Sequence, residues 1–147
     1  MPAPYQRILV PTDFSETAEL AVRRAKDLAE RFHAELYLVH VVAHFPQDLG
    51  VDWIPPENED PKHFYLEQAR RHLQALDERL GLGAVRQAIF SPHSARHEIV
   101  AYAREKMIDL IVIGSHGHGT LAALFGSTAA GVVRDAPCDV LVVRPRA

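Results

Sequence analysis

Two stretches of the chain carry residue types at spacings that suit ligand chemistry. One runs Gly114-Ser115-His116-Gly117-His118-Gly119-Thr120, continues through residues 121–125, and closes with Gly126-Ser127-Thr128. Glycines let backbone N–H groups approach an anion closely. Ser127 is placed to cap and open a helix, and the free N–H groups and dipole at such a start favour phosphate. The pattern reads as an anion cradle, with a glycine-rich turn that holds no ligand as the alternative. The other stretch is Pro11-Thr12-Asp13-Phe14-Ser15. Its Asp13 carboxylate can accept hydrogen bonds from a ribose hydroxyl or a base amine, or can instead cap a helix beside Ser15.

What these stretches lack is equally informative. There is no G-x-x-x-x-G-K-[ST] lysine loop, no glycine fingerprint for a dinucleotide after the first strand, and no G-x-S-x-G elbow. The glycine loop contains no Lys or Arg, so phosphate contact rests on backbone, hydroxyls and histidine. Fast phosphoryl transfer ordinarily uses a cationic clamp and a metal-holding carboxylate. A binding module is therefore expected, with a slow phosphate-ester hydrolase as the rival.

The nine histidines raise a metal site as a question. His116 and His118 flank Gly117, and His93 and His97 stand one helical turn apart. Two imidazoles can begin a zinc site, but structural sites ordinarily take four ligands. The single cysteine, Cys138, sits at a strand start and reads as a small buried hydrophobe. The bland reading, loop-facing or solvent-facing side chains, is preferred for these four histidines, and no metal is expected. His33 complements a helix dipole. His40, inside an apolar strand, reads as a hydrogen-bonded core residue.

The elements that position these loops alternate in two rhythms. Apolar, β-branched runs fall at residues 7–11, 35–41, 84–90, 109–114 and 139–144. Between them, Ala18, Val22, Ala25, Ala29 and Phe32 repeat at helical spacing, as do Leu66, Ala69, Leu73, Leu76 and Leu80. Ile99, Ala103 and Met107 mark a third helix, and residues 127–135 a fourth that stops before Pro137. Ser15, Asp60 (with Pro61 after it), Ser94 and Ser127 are the expected caps, and Gly81 and Gly83 the stop of the second helix. Four of the runs are apolar almost throughout, as in a parallel sheet covered on both faces. The third alternates and is expected at an edge. The reading is a Rossmann-like, doubly wound α/β fold: a five-stranded parallel sheet in the order 3-2-1-4-5 with four helices. Residues 43–61, with four prolines and Trp53, fit neither rhythm; a lid, a binding loop or a disordered surface segment all suit such a stretch.

Length and composition bound the rest. The chain has 147 residues, read as one domain over 1–147, with 48% apolar and 24% charged residues. Sixteen basic against nineteen acidic residues leave a net charge of −3, no basis for nucleic-acid binding. One cysteine excludes an internal disulfide framework and suits a reducing compartment. No apolar run approaches the ~20 residues of a membrane helix, and the N-terminus lacks a signal-peptide layout. A cytoplasmic protein is expected.

The residues along the whole chain resemble the universal stress protein family. The resemblance is carried by Pro11-Thr12-Asp13-Phe14-Ser15, by His40-Val41 in the second strand, by Asp109-Leu110-Ile111-Val112-Ile113-Gly114, and by Pro137-Cys138-Asp139-Val140-Leu141-Val142-Val143. The nucleotide-binding branch of that family carries G-x2-G-x9-G-[ST]. Gly114, Gly117, Gly126 and Ser127 reproduce it, except that eight residues rather than nine separate Gly117 from Gly126. A second departure is His93, where many members have glycine. The resemblance implies an adenine nucleotide, ATP or a close relative, with Mg as an optional companion. It places Pro11, Thr12 and Asp13 near ribose and base, and the Val41 backbone on adenine. It places Ile113, Gly114, Gly117, Gly126, Ser127 and Thr128 on the phosphate and ribose sides. It also points to a homodimer through the strand from Asp139 to Arg144. That strand is an edge in the expected order and is too apolar to stand bare. A relative that dimerises without nucleotide is the remaining alternative.

Overall fold

Strand and helix alternate from one end of the chain to the other. The computed structural model describes residues 4–43, 57–117 and 126–146. In order the elements are β1 (Arg7–Pro11), α1 (Glu16–Phe32), β2 (Glu35–Ala43), α2 (Pro61–Leu80), β3 (Val85–Ser91), α3 (Ala95–Glu105), β4 (Leu110–Gly114), α4 (Ser127–Asp135) and β5 (Asp139–Val143). All strand pairs are parallel and the sheet order is β3-β2-β1-β4-β5, as the apolar runs predict. No helix among the described residues is long and apolar enough to cross a membrane.

The two-residue period of the strands sorts their side chains onto two faces. Ile8, Val10, Leu36, Leu38, Leu110 and Val112 point into a core closed by Val22 and Ala25 of α1 and by Ala69 and Leu73 of α2. Leu9, Tyr37, Val39, Ile111 and Ile113 point into a second core closed by Ile99 and Ala103 of α3 and by Ala129 and Val132 of α4. Burial on both faces explains why these strands read as continuous apolar runs.

Helix ends follow local chemistry. Ser15 Oγ accepts from the Ala18 N–H at 3.1 Å, Asp60 Oδ1 from the Lys62 N–H at 3.2 Å, and Ser94 Oγ from the His97 N–H at 3.1 Å. Helix α2 stops at Gly81, in the left-handed region at φ 63°. Helix α3 corrects the expected stripe: it ends at Glu105, and Met107 turns out to solvent at φ 55° with 74% of its surface exposed. The Ile108 N–H reaches back to the Ala103 carbonyl and the Met107 N–H to that of Arg104, a C-terminal wrap that flips residue 107 and buries Ile108 in its place. Helix α4 corrects a second expectation. Its cap is Gly126, no side chain bonds there, and Ser127 is the first helical residue rather than the cap. The third strand runs one residue later than its apolar pattern suggests, ending on the buried Ser91. The turn after it needs no glycine at His93, whose N–H donates to Ser91 Oγ at 3.0 Å and whose φ is not positive.

A candidate ligand site at the strand switch point

Strand order reverses between β1 and β4, and the helices that follow these strands cover opposite faces. Such a divergence opens a crevice beyond the carboxyl ends of the two strands. Both loops singled out by residue type arrive there.

The first loop is built from side chains. Beyond Pro11, paired with Val39, the Thr12 N–H makes one more bond to the Val39 carbonyl at 2.8 Å. Thr12 Oγ1 then accepts from the Phe14 N–H at 3.0 Å, and Asp13 Oδ1 accepts from the Ser15 N–H at 3.0 Å. The capping residue is thus Ser15, and Asp13 holds the turn before it. These short-range bonds fold the chain tightly enough to place Phe14 at φ 65°, a left-handed conformation that carries strain for a bulky residue. Its ring is held by packing, 4.7 Å from the His40 ring and 5.4 Å from that of His72 on α2. His40 is only 1% exposed, and its Nδ1 lies 2.7 Å from the Thr12 carbonyl oxygen. A carbonyl can only accept, so Nδ1 carries the hydrogen. Burial pushes the His40 pKa below the ordinary histidine value; the Thr12 hydrogen bond and the Asp13 charge oppose this, and His72 reinforces it. His40 is therefore the core histidine its strand implies, and it also supports the loop that carries Asp13.

The second loop is built from missing side chains. The Ser115 N–H extends the sheet to the Val143 carbonyl at 2.9 Å, and the Gly126 N–H closes the loop on the Ser115 carbonyl at 2.7 Å. A Cβ at Gly114 would stand 3.1 Å from the Thr17 carbonyl oxygen, and one at Gly126 3.3 Å from the His116 Cα. A Cβ at Gly117 would fall on Asp13 Oδ2, so the two loops touch through that pair. His116 bridges them again, with Nε2 3.2 Å from Thr17 Oγ1 and Nδ1 3.1 Å from Ser115 Oγ.

The other candidate positions fall around this contact in different ways. The Val39 carbonyl points to the β1 side of β2, and the strand period turns the peptide groups of Val41 the same way, past the last residue of β1. The Ile113 side chain is buried in the core beneath α3 and α4, so only its backbone is available to the crevice. Ser127 is exposed and Thr128 half-buried in the first turn of α4. Residues 118–125, with His118 and the shortened spacing, and residues 44–56 of the proline-rich stretch lie outside the described residues. His93 and His97 place their rings 4.8 Å apart, and no group of three or more potential metal ligands forms among the described residues. Cys138 is half-buried against the core under α3 and α4, and burial first, then Asp139, raises its thiol pKa to about 11.

Sequence reasoning missed Thr17 and the bridging position of His116, and it gave Phe14 no role. A hydroxyl in the first turn of α1 and a histidine beside a motif glycine were visible signals for the first two. A left-handed phenylalanine has none, since that conformation favours glycine and asparagine.

Comparison with known proteins gives the family and the fold. The model of the Universal stress protein family matches residues 4–144. Universal stress protein A homolog 1 of Coxiella burnetii is 34% identical over 139 residues, covering 95% of this chain and 96% of that one. Universal stress protein MJ0577 of Methanocaldococcus jannaschii is 31% identical over 95% of each. A solved structure of MJ0577 superposes with a TM-score of 0.75, covering 97% of this chain and 98% of that one. More distant members sharing the fold have been solved with cAMP, at 24% identity and a TM-score of 0.72, and with dAMP, from Archaeoglobus fulgidus, at 21% and 0.68. These cover 97% and 95% of this chain, and 99% and 98% of theirs.

Proposed function

Because the chain belongs to the universal stress protein family, we propose that it binds an adenine nucleotide, ATP foremost, between the loops after β1 and β4. In this reading it works as a stress-response module that signals by occupancy. The observation that carries the reading is the meeting of Asp13 with Gly117 at the switch point, next to an α4 start that no side chain among the described residues caps. Pro11, Thr12 and Asp13 face ribose and base, with the Asp13 carboxylate accepting from hydroxyl or amine. The peptide groups of Val41 read the adenine edge. The backbone of Ile113, Gly114, Gly117 and Gly126, with Ser127 and Thr128, lines the phosphate and ribose sides, and the open N–H groups and dipole of α4 favour an anion at the phosphate end. Magnesium would enter with the nucleotide and take most of its oxygens from phosphate and water. The cAMP and dAMP complexes of relatives support an adenine ligand; choosing ATP among them rests on the glycine motif.

In the same reading the protein is not an efficient catalyst. Neither loop contributes a lysine or arginine to clamp a transferring phosphoryl group. Phosphate release should stay well below the ~10 s⁻¹ of a median enzyme; turnover at ordinary enzyme rates, lost in Asp13→Ala, would favour the hydrolase instead. The direct test of the site is mass spectrometry of the denatured, purified protein for a carried nucleotide, followed by calorimetry with ATP. Absence of both would leave the dimerising, nucleotide-free alternative.

The proposal extends to a single-domain homodimer in the cytoplasm, paired through the β5 edge. Strand β5 has one neighbour in the sheet, and Val140, Leu141 and Val142 are only half-buried. Val142→Pro removes a ladder donor there. Sedimentation of a wild-type dimer that turns monomeric in this variant is the expected result; a clean wild-type monomer at tens of micromolar refutes the interface.

A further inference from the structure

The three loop glycines among the described residues do not meet the same kind of neighbour. Behind Gly126 a methyl group would press on the His116 Cα, and behind Gly114 on the Thr17 carbonyl and, as closely, on the Thr17 Cγ2 methyl. Behind Gly117 it would press on a carboxylate, with Asp13 Oδ2 well inside contact distance of the missing Cβ and Asp13 Cγ 3.2 Å from it. An exposed aspartate could swing aside, but this one is tied. Its Oδ1 accepts from the Ser15 N–H at 3.0 Å, and Ser15 is itself the buried cap of α1. Turning the carboxylate away from residue 117 would break that bond, and keeping the bond would push the two loops apart.

We propose that Gly117 is a positioning residue for the nucleoside end of the site, because its empty side-chain position seats the Asp13 carboxylate and sets its aim. The inference rests on the nucleotide reading above, and it reverses the role that the glycine motif suggests for this residue. Gly117 acts through Asp13, whereas Gly126 and the first turn of α4 remain the phosphate end. The carboxylate that reads ribose or base and the loop that receives phosphate are one mechanical unit, joined where Gly117 admits Asp13.

Two sets of measurements test this, one without ligand and one with it. In the ligand-free protein, Gly117→Ala should lower Tm by about 2–6 °C, the shift expected of a modest steric clash in a domain of this size. The same substitution should lower Tm as much in an Asp13→Asn background, which keeps the volume, and hardly at all in Asp13→Ala, which removes it. An equal loss in all three backgrounds, or none in any, overturns the contact. With ligand, Gly117→Ala should weaken adenosine and ATP by the same factor, about tenfold for one misplaced hydrogen-bonding group. It should add no loss to Asp13→Ala. Weakened ATP with unchanged adenosine, or a further loss in the Asp13→Ala background, returns Gly117 to the phosphate and overturns the proposal. If the wild type binds neither adenosine nor ATP, the nucleotide reading has failed and the assignment of Gly117 to a nucleoside fails with it. The thermal comparison then still decides whether the two residues are interlocked.

Discussion

The loops after β1 and β4 reach the same crevice by opposite constructions. From Thr12 to Ser15, each of three hydroxyl or carboxylate side chains accepts from a backbone N–H within three residues, and a buried histidine holds the Thr12 carbonyl from below. At Gly114 and Gly126, the described ends of the second loop, the packing depends on side chains that are not there: Gly114 lies close against Thr17 and Gly126 against the His116 backbone. The first loop is a hydrogen-bonded bracket that presents one carboxylate; the described glycines of the second fit closely against their neighbours. Deleting atoms should harm the first, and adding atoms should harm the second.

The largest expected effect comes from adding to the second loop. Gly126→Val drives a branched side chain against the His116 Cα and into the turn that closes on Ser115. Calorimetry should detect no ATP binding, and retained wild-type affinity would show that the loop is not a fitted surface. Deletion in the first loop comes next. Asp13→Ala removes a charged acceptor, for which about 1.5–3 kcal/mol, or roughly 10–100-fold in affinity, is typical. An affinity within twofold of wild type would assign Asp13 to the turn alone.

Smaller effects sharpen the contrast through two serines. Ser15→Ala loses a real cap and should destabilise the fold by about 1 kcal/mol in denaturant titration. Ser127→Ala loses no cap and should stay within about 0.5 kcal/mol of wild type. Equal losses would mean that the two helix starts are built alike. The smallest effect is a slope. His40 keeps its proton less readily folded than unfolded, so between its lowered folded value and about 6.5 the unfolded chain binds more protons. Its contribution is therefore full above about pH 6.5 and declines as pH falls through that window. Asp13 and His72 are the charged groups whose fields reach it, the first opposing and the second adding to the burial effect. His40→Asn, which can still donate to Thr12, should flatten the stability–pH curve relative to wild type. An unchanged slope would show that the proton is taken up elsewhere.

This contrast also explains what could be read without coordinates. The parallel, doubly covered strands, the three side-chain caps and the edge position of β3 depend on periodicity and on residues whose chemistry is local, so they are legible in one dimension; the order of the strands follows from the fold class. The candidate site residues were identifiable as types, because glycine and aspartate after apolar strands are conspicuous. Their partners were not. The contact of Asp13 with Gly117 spans more than a hundred positions and exists only because the three crossovers between β1 and β4 bring the loops together. Met107 fits the helical stripe, yet a wrap of backbone N–H groups turns it outward, a competition that apolar spacing does not record. Asp77 is similar: it looks like one more charge on a helix, but it is buried, accepts from the Gly83 N–H at 2.9 Å and pairs with Arg86 at 2.7 Å, fastening α2 to β3.

The seat of Cys138 has a consequence for how such a protein can respond to oxidising conditions. Peroxides and disulfides are attacked by thiolate, not by thiol. With burial pushing its pKa up to about 11, Cys138 is overwhelmingly the neutral thiol at pH 7. As the only cysteine, it also has no second sulfur in its own chain with which to close a bridge. The chain is poorly equipped to record an oxidant covalently through this thiol.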